Sequence, residues 1–340
     1  MEKYFAFQWH ITDECDQRCK HCYIFADRDV QIQRMSFDKI QWVYDNTLEM
    51  CRQMKRTPYF YITGGDPILH HNFWDMLDMF KAHNIAFGIL GNPFHLDKEL
   101  CERLREAGCG KYQMSLDGLR ETHDLIRKPG SFDQTMEKIK CIRDAGMTSV
   151  IMTTVSSMNI DEIPRLIDLV ILHEVDVFAF SRYCPSASPQ NTHVTPDRYR
   201  NFLEICWDKF SLYKDLNTTF SLKDHLWTLF LYEKGLFTIP ADLDPNTIYD
   251  GCNCGNCHMT ILPDGNVYAC RRMESRIGNA FSERLSDIFL SDRMKDFTCY
   301  DKFEKCAKCE LLRFCRGCPA VAYSYTGNAY SADPQCWKKL

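Results

Sequence analysis

No run of about 18 apolar residues that could span a bilayer occurs in the 340-residue sequence. The longest candidate, IDLVILHEVDVFAF, is broken by Asp168, His173, Glu174 and Asp176. The N-terminus, MEKYFAFQWHITDEC, lacks an apolar h-region and a small-residue cleavage site, so no secretory address is read and a cytoplasmic location is expected. There is no basic stripe: a formal net charge of −5 argues against nucleic acid as a partner. No internal repeat of fixed period and no low-complexity tract is present. What is abundant is cysteine, with 19 residues. A secreted disulfide scaffold would be far shorter and denser in cysteine, whereas clustered cysteines in a reducing compartment read as metal ligands.

From residue 4 to about residue 213, β-rich runs alternate with amphipathic helical stretches, the pattern of parallel βα units. FAFQWHI (5–11) reads as the first strand. Ser36 then caps a helix whose Ile40, Val43, Tyr44, Thr47, Leu48 and Cys51 recur at helical spacing. Strands are expected at 59–63, 85–90, 111–116, 149–155 and 176–181, with helices near 71–82, 97–107, 132–145, 160–173 and 195–213. Six such units are too few for a closed eight-stranded barrel. The expected fold class is therefore α/β, a partial (β/α)6 TIM-like barrel with its site at the C-terminal strand ends. Residues 1–213 form this barrel and 214–250 a connecting segment ending in the loop IPADLDPN. Residues 251–340 form a cysteine-rich module organised around ligands.

Cys15, Cys19 and Cys22 form C-x3-C-x2-C directly after the first strand. Three thiolates can hold three irons of a [4Fe–4S] cluster and leave the fourth open. A zinc site completed by His21 is the alternative, although adjacent residues rarely point at one ion. With Tyr23 beside the last cysteine, the spacing resembles the signature of the radical S-adenosylmethionine (radical SAM) enzymes. Thr63-Gly64-Gly65-Asp66-Pro67 looks like that family's GGE motif, which receives the methionyl amine, with Asp in place of Glu. Two glycines at a strand end let backbone approach a ligand closely, and an acid accepts from an ammonium.

Gly91-Asn92 is a partial match to the family's third-strand region. Ser115-Leu116-Asp117-Gly118, His123-Asp124 and Arg127 are similar to a run in its peptide-modifying subgroup. The resemblance implies that Ser115 bonds the ribose or carboxylate of the cofactor and that Arg127 supports its carboxylate. Taken bare, Asp117-Gly118 reads as a turn and Arg127 as a solvated helix start. Arg182 and Pro185 also look like family positions.

The C-terminal module holds Cys252, Cys254, Cys257, then Gly265-x4-Cys270, then Cys306-x2-Cys309-x5-Cys315-x2-Cys318, and Cys336. This is similar to the SPASM extension of peptide-modifying radical enzymes, departing in the interval between Cys315 and Cys318. The resemblance implies one auxiliary cluster on Cys306, Cys309, Cys315 and Cys336. A second would use Cys270, Cys318 and two of Cys252, Cys254 and Cys257. A pair of zinc ribbons is the alternative reading. The other seven cysteines (51, 101, 109, 141, 184, 206 and 299) lack ligand spacing and read as small buried hydrophobes.

The function so implied is a peptide maturase that cleaves S-adenosylmethionine to a 5′-deoxyadenosyl radical, with three [4Fe–4S] clusters and a donor such as flavodoxin or ferredoxin. The favoured outcome is a thioether from a cysteine of a ribosomally made peptide; protein oxidation and epimerisation are alternatives. Sulfatase maturases carry an Asp after the hairpin cysteine, where Arg271 stands here. Arg271-Arg272 either meets an acidic peptide or is a solvated pair. Only 14 residues precede Cys15, so a leader is expected to be gripped by the barrel and SPASM surfaces or by a separate recognition protein.

Overall fold

The computed structural model describes residues 4–25, 31–185, 192–244 and 247–340. The chain begins β1 (Tyr4–Thr12), α1 (Phe37–Met54), β2 (Thr57–Gly64), α2 (Phe73–Ala82), β3 (Phe87–Leu90), α3 (Lys98–Glu106) and β4 (Cys109–Ser115). It continues α4 (Arg120–Ile126), α5 (Ser131–Asp144), β5 (Thr148–Val155), α6 (Ile163–Leu172), β6 (Val177–Arg182), α7 (Pro196–Leu212), β7 (Thr219–Ser221) and α8 (Leu226–Glu233). The last part holds β8 (His258–Ile261), β9 (Asn266–Tyr268), β10 (Arg276–Asn279), α9 (Leu285–Leu290), α10 (Asp292–Lys295) and α11 (Pro319–Thr326). The six expected strands are present.

All ten strands form one sheet in the order β10-β9-β8-β1-β2-β3-β4-β5-β6-β7. Neighbours from β8 through β7 run parallel, whereas β9 and β10 fold back antiparallel. The two edges stay apart in hydrogen bonding, so the α/β fold is a partial TIM barrel followed by the cysteine-rich region. The sheet crosses the boundary expected near residue 251, because β8 pairs with β1 (Ala6 with His258, Trp9 with Ile261). Strands of three or four residues carry too little alternation to be seen in the sequence, and β7 to β10 are all of that length. Helix α8 occupies the connecting segment; residues 245–246 of its following loop lie outside the described residues.

Strand alternation sets the two faces. Phe5, Phe7, Trp9 and Ile11 are fully buried toward the helices, where Trp9, Phe60, Tyr44 and Phe80 form an aromatic stack. Each such side chain contributes about 1.5–3 kcal/mol on burial. Ser36 stands at the N-cap of α1 with extended backbone, but its side chain makes no capping hydrogen bond, contrary to the expected cap. The other face of β1, carrying Gln8 and His10, looks into the barrel lumen.

Candidate functional site

The loop after β1 carries Cys15, Cys19 and Cys22, which are close enough to feel one another's charge. Burial pushes the Cys15 thiol up to about 11 and raises Cys19 as well. Such thiols lose their protons readily only to a metal that replaces them, so the donor set fits an iron–sulfur cluster. His21 does not complete a zinc site: its Nε2 lies 3.6 Å from Asp117 Oδ2 and 3.4 Å from Arg127 Nη2.

Gly64 and Gly65 are required by the protein's own backbone rather than by a ligand. A Cβ on Gly64 would stand 2.0 Å from the Thr12 carbonyl oxygen, and one on Gly65 2.1 Å from that of Glu14. The close approach lets Gly65 N–H donate to Thr12 (2.8 Å) and Asp66 N–H to Glu14 (2.7 Å), pinning the strand end to the cysteine loop. Asp66 is fully buried and its Oδ2 has no partner, while burial pushes the carboxyl up to about 7. Neighbouring Asp16 already has Asn92 at 2.9 Å and Lys128 at 3.5 Å. An orphaned buried acceptor beside the cysteines fits the ammonium of S-adenosylmethionine.

The turn reading of Asp117 is overturned by its burial. Asp117 has no exposure, accepts from Thr154 N–H (2.8 Å) and from Arg127 Nε (2.5 Å), and its own N–H donates to His123 (3.0 Å). Burial opposes its ionisation, but Arg127 and His21 hold its pKa below the ordinary carboxylate value. Arg127 is no solvated helix start: it follows the C-terminus of α4, with Nη1 3.7 Å from Cys19 Sγ. Asn92 donates to Cys15 Sγ at 3.4 Å. Ser115 ends β4, half-buried, opposite Met152.

The C-terminal cysteines collect into two groups. Cys306, Cys309, Cys315 and Cys336 form one: Cys306 is raised to about 12 by burial, then by Cys336 and Cys309, and Cys315 is raised by burial, Cys336 and Cys306. In the other, Cys254 shares hydrogen bonds with Cys252 and Cys270, and Cys318 lies within the influence of Cys270. Cys184 belongs here too, a correction to its reading as a packing residue. Its thiol donates to the Arg182 carbonyl at 4.0 Å, and its closeness to Cys318 raises the pKa of Cys184 and lowers that of Cys318. No spacing rule links residues 184 and 318; the end of β6 brings them together. Arg182, beside it, donates to Asp224 (2.9 Å), Asp333 (2.6 Å) and Gln335 (2.9 Å), tying β6 to the C-terminal region, while its Nη2 is buried without a hydrogen-bond partner among the described residues.

Between the two cysteine regions lies the lumen. Thr260, Gln8, Tyr61, Gly88 and Lys111 follow one register row across β8, β1, β2, β3 and β4. Gly88 leaves room for Lys111, whose Cγ would stand 2.7 Å from an added Cβ. Lys111 Nζ donates to Tyr61 (3.2 Å) and lies 4.9 and 4.7 Å from the ring centres of Tyr59 and Tyr61. Lys223, just beyond β7, is exposed; desolvation, then the charges of Arg272 and Lys111, push its pKa down to about 8. Desolvation chiefly, with Lys223 and Arg272 adding to it, lowers His258 to about 4. Tyr23 opens on the lumen mouth with Arg271 4.8 Å above its ring. Arg272 reaches Cys318 Sγ at 3.6 Å. The Arg271-Arg272 pair is thus turned inward, not solvated, because ring faces and sulfur attract it. The sequence signal for Lys111, Tyr59 and Tyr61 was strand alternation, which assigns them to the face opposite Phe60.

Among the described residues, no helix is long and apolar enough to cross a membrane. Residues 9–170 match the radical SAM superfamily, and residues 252–319 match SPASM, an iron–sulfur cluster-binding domain. The chain is 24% identical to an AdoMet-dependent heme synthase of Nitratidesulfovibrio vulgaris, over 96% of this chain and 90% of that protein. It is also 24% identical to the mycofactocin maturase MftC of Mycolicibacterium smegmatis, over 96% and 81%. The solved structure of Streptococcus suis SuiB bound to its precursor peptide SuiA superposes with a TM-score of 0.75 at 19% identity, covering 98% of this chain and 76% of that one. The zinc-ribbon reading is set aside by the SPASM match. With its cysteine loop, partial barrel and C-terminal cysteine groups, the chain belongs to the radical SAM superfamily, as a SPASM enzyme that uses S-adenosylmethionine and [4Fe–4S] clusters.

Proposed function

We propose that the enzyme acts on a substrate held in the barrel lumen, between a catalytic cluster on Cys15, Cys19 and Cys22 and an auxiliary cluster on Cys252, Cys254, Cys270 and Cys318. A third cluster sits on Cys306, Cys309, Cys315 and Cys336. Bound there, S-adenosylmethionine and the clusters supply one-electron chemistry that removes a hydrogen atom from a substrate carbon. The chain's own residues orient that chemistry. Asp66 receives the cofactor's ammonium, Arg127 and Asn92 hold the cysteine loop in place, and Tyr23 walls the mouth.

The carrying observation is the short run of contacts that links the two cysteine regions: Arg271 lies 4.8 Å above the ring of Tyr23, which follows Cys22, and the adjacent Arg272 reaches Cys318 Sγ at 3.6 Å. The reading favoured here is thioether formation on a ribosomally made peptide, fed by a flavodoxin or ferredoxin. Peptide binding in the structural relative SuiB supports it. Action on a tetrapyrrole is the second reading, supported by the match to heme synthases along nearly the whole chain.

Anoxic reconstitution is expected to give about twelve irons per chain, and reductant with S-adenosylmethionine to give 5′-deoxyadenosine. Mass spectrometry of peptides encoded beside the gene, co-expressed with the enzyme, then reads the outcome. Loss of two hydrogens supports the crosslink; an unchanged peptide alongside a decarboxylated porphyrin overturns it in favour of the second reading.

A further inference from the structure

We propose that Asp16 is a second acceptor for the amino group of S-adenosylmethionine, paired with Asp66 across one gap. The inference rests on the reading that Asp66 receives that group, and it names the residue that shares the task.

The two acids come from different elements and meet. Asp16 lies in the cysteine loop and Asp66 just beyond β2, where the Asp66 N–H donates to the Glu14 carbonyl at 2.7 Å. A carboxylate oxygen of Asp16, one of Asp66 and a ring nitrogen of His95 lie within 4.8 Å of one another. Asp66 is fully buried; its Oδ1 accepts from Ile68 N–H at 3.4 Å and its Oδ2 has no partner. Asp16 is set by Asn92, whose side-chain amide donates to Asp16 Oδ1 at 2.9 Å and to Cys15 Sγ at 3.4 Å. Asn92 is held in turn by Tyr112, whose hydroxyl donates to its carbonyl oxygen at 2.9 Å. One amide thus fixes this carboxylate relative to a cysteine of the loop.

These contacts leave Asp16 with capacity to spare. Lys128 (3.5 Å) and His95 (3.7 Å) both lie on its Oδ2, so with Asn92 it has three partners, and a carboxylate accepts about four hydrogen bonds. Its side chain is 27% exposed, so a ligand can reach it. Burial chiefly, and the charge of Asp16 in addition, raise the pKa of the Asp66 carboxyl, a cost that a cation between the two removes. An amino group carries several N–H donors on one nitrogen. Two such bonds of about 2.8 Å span up to about 5.6 Å, enough to cross the 4.8 Å gap and serve both acids. Lys128 on the same carboxylate disfavours a divalent ion, whose charge it repels more strongly than that of an ammonium. Position 66 carries Asp, shorter than Glu, and a second acid from the loop makes up the reach.

The test reads binding rather than turnover. The anoxically reconstituted enzyme is titrated calorimetrically, without reductant, with S-adenosylmethionine and with its des-amino analogue, in which hydrogen replaces the amino group. Asp16→Asn keeps an oxygen for Asn92 and removes the charge. It is expected to bind S-adenosylmethionine about tenfold more weakly with its iron unchanged, while its affinity for the analogue stays that of the wild type. A role confined to holding the loop would instead weaken both ligands alike or lower the iron content, and either result overturns the assignment. An unchanged affinity for S-adenosylmethionine overturns it as well. Mn2+ that competes with S-adenosylmethionine on the wild type but not on Asp16→Asn would do the same, giving the pair to a metal ion. Asp66→Asn keeps the two readings apart. Full affinity for S-adenosylmethionine in Asp66→Asn would sink the role given to Asp66 under the proposed function. Weakened binding in Asp66→Asn beside full binding in Asp16→Asn would sink only the shared acceptor.

Discussion

Arg182 Nη1 lies 2.6 Å from Asp333 Oδ1, and the other oxygen of Asp333 accepts from the Cys318 N–H at 2.8 Å. A strand end of the barrel and a cysteine near the C-terminus are thus joined through one buried carboxylate.

Arg182→Met is expected to destabilise the protein by about 3–5 kcal/mol, because it strands Asp224 and Asp333 without their cation. Burial opposes ionisation of Asp224, but Arg182 and His225 hold its pKa below the usual carboxylate range. A depressed folded pKa stabilises above the unfolded value and loses that contribution as pH falls through the folded one. Without Arg182, burial raises the stranded carboxyls in the variant, so the gap between wild type and variant should be largest near neutral pH, begin to shrink above about pH 4 as the variant's carboxyls take up protons, and keep closing below it. Thermal unfolding followed by circular dichroism across that range checks the trend.

Gly65→Ala should release the cysteine loop, since its Cβ meets the Glu14 backbone rather than a flexible side chain. The expected result is loss of about four irons and of 5′-deoxyadenosine formation. Gly130→Ala, with open space around it but a φ of 80°, should cost only about 1 kcal/mol and keep the iron. Iron content of the pair decides whether position 65 matters through this contact.

Cys15→Ala is expected to abolish cofactor cleavage, whereas Cys306→Ala should preserve cleavage and lose product together with about four irons. Identical behaviour of the two variants in cleavage and product assays would contradict the assigned division of labour.

If Cys184 contacts Cys318 as a neighbour and not as a ligand, Cys184→Ala should leave the iron count unchanged and lower the reduction potential of the cluster proposed on Cys318. A hydrogen bond to a ligand sulfur favours the more negative, reduced state. Removing one worth about 1 kcal/mol shifts a one-electron couple by about 40 mV. Spectroelectrochemistry reads the shift, and loss of iron would instead make Cys184 a ligand.

The parts legible in the sequence were the local ones. Strands such as 149–155 announce themselves by β-branched alternation, and Cys15, Cys19 and Cys22 by spacing within one loop. The meeting of Cys184 with Cys318 was invisible because it depends on where β6 ends relative to a loop more than a hundred residues later. Gly64 and Gly65 were recognisable as special, but their reason lay in the backbone of Thr12 and Glu14, which no pattern in residues 63–67 encodes. Lys111 read as an ordinary strand residue until Gly88 placed a vacancy beside it.

The pairing of β8 with β1 bears on how the chain is made. Strand β1 is made before β8, yet along Ala6–Trp9 one of its two hydrogen-bonding edges is satisfied by residues 257–261. Until those emerge, an apolar strand presents bare N–H and C=O groups, the template on which chains associate wrongly. Synthesis of the cysteine-rich region thus also ends the period in which the nascent barrel is sticky, and C-terminal truncations before residue 258 should aggregate rather than accumulate as free barrels.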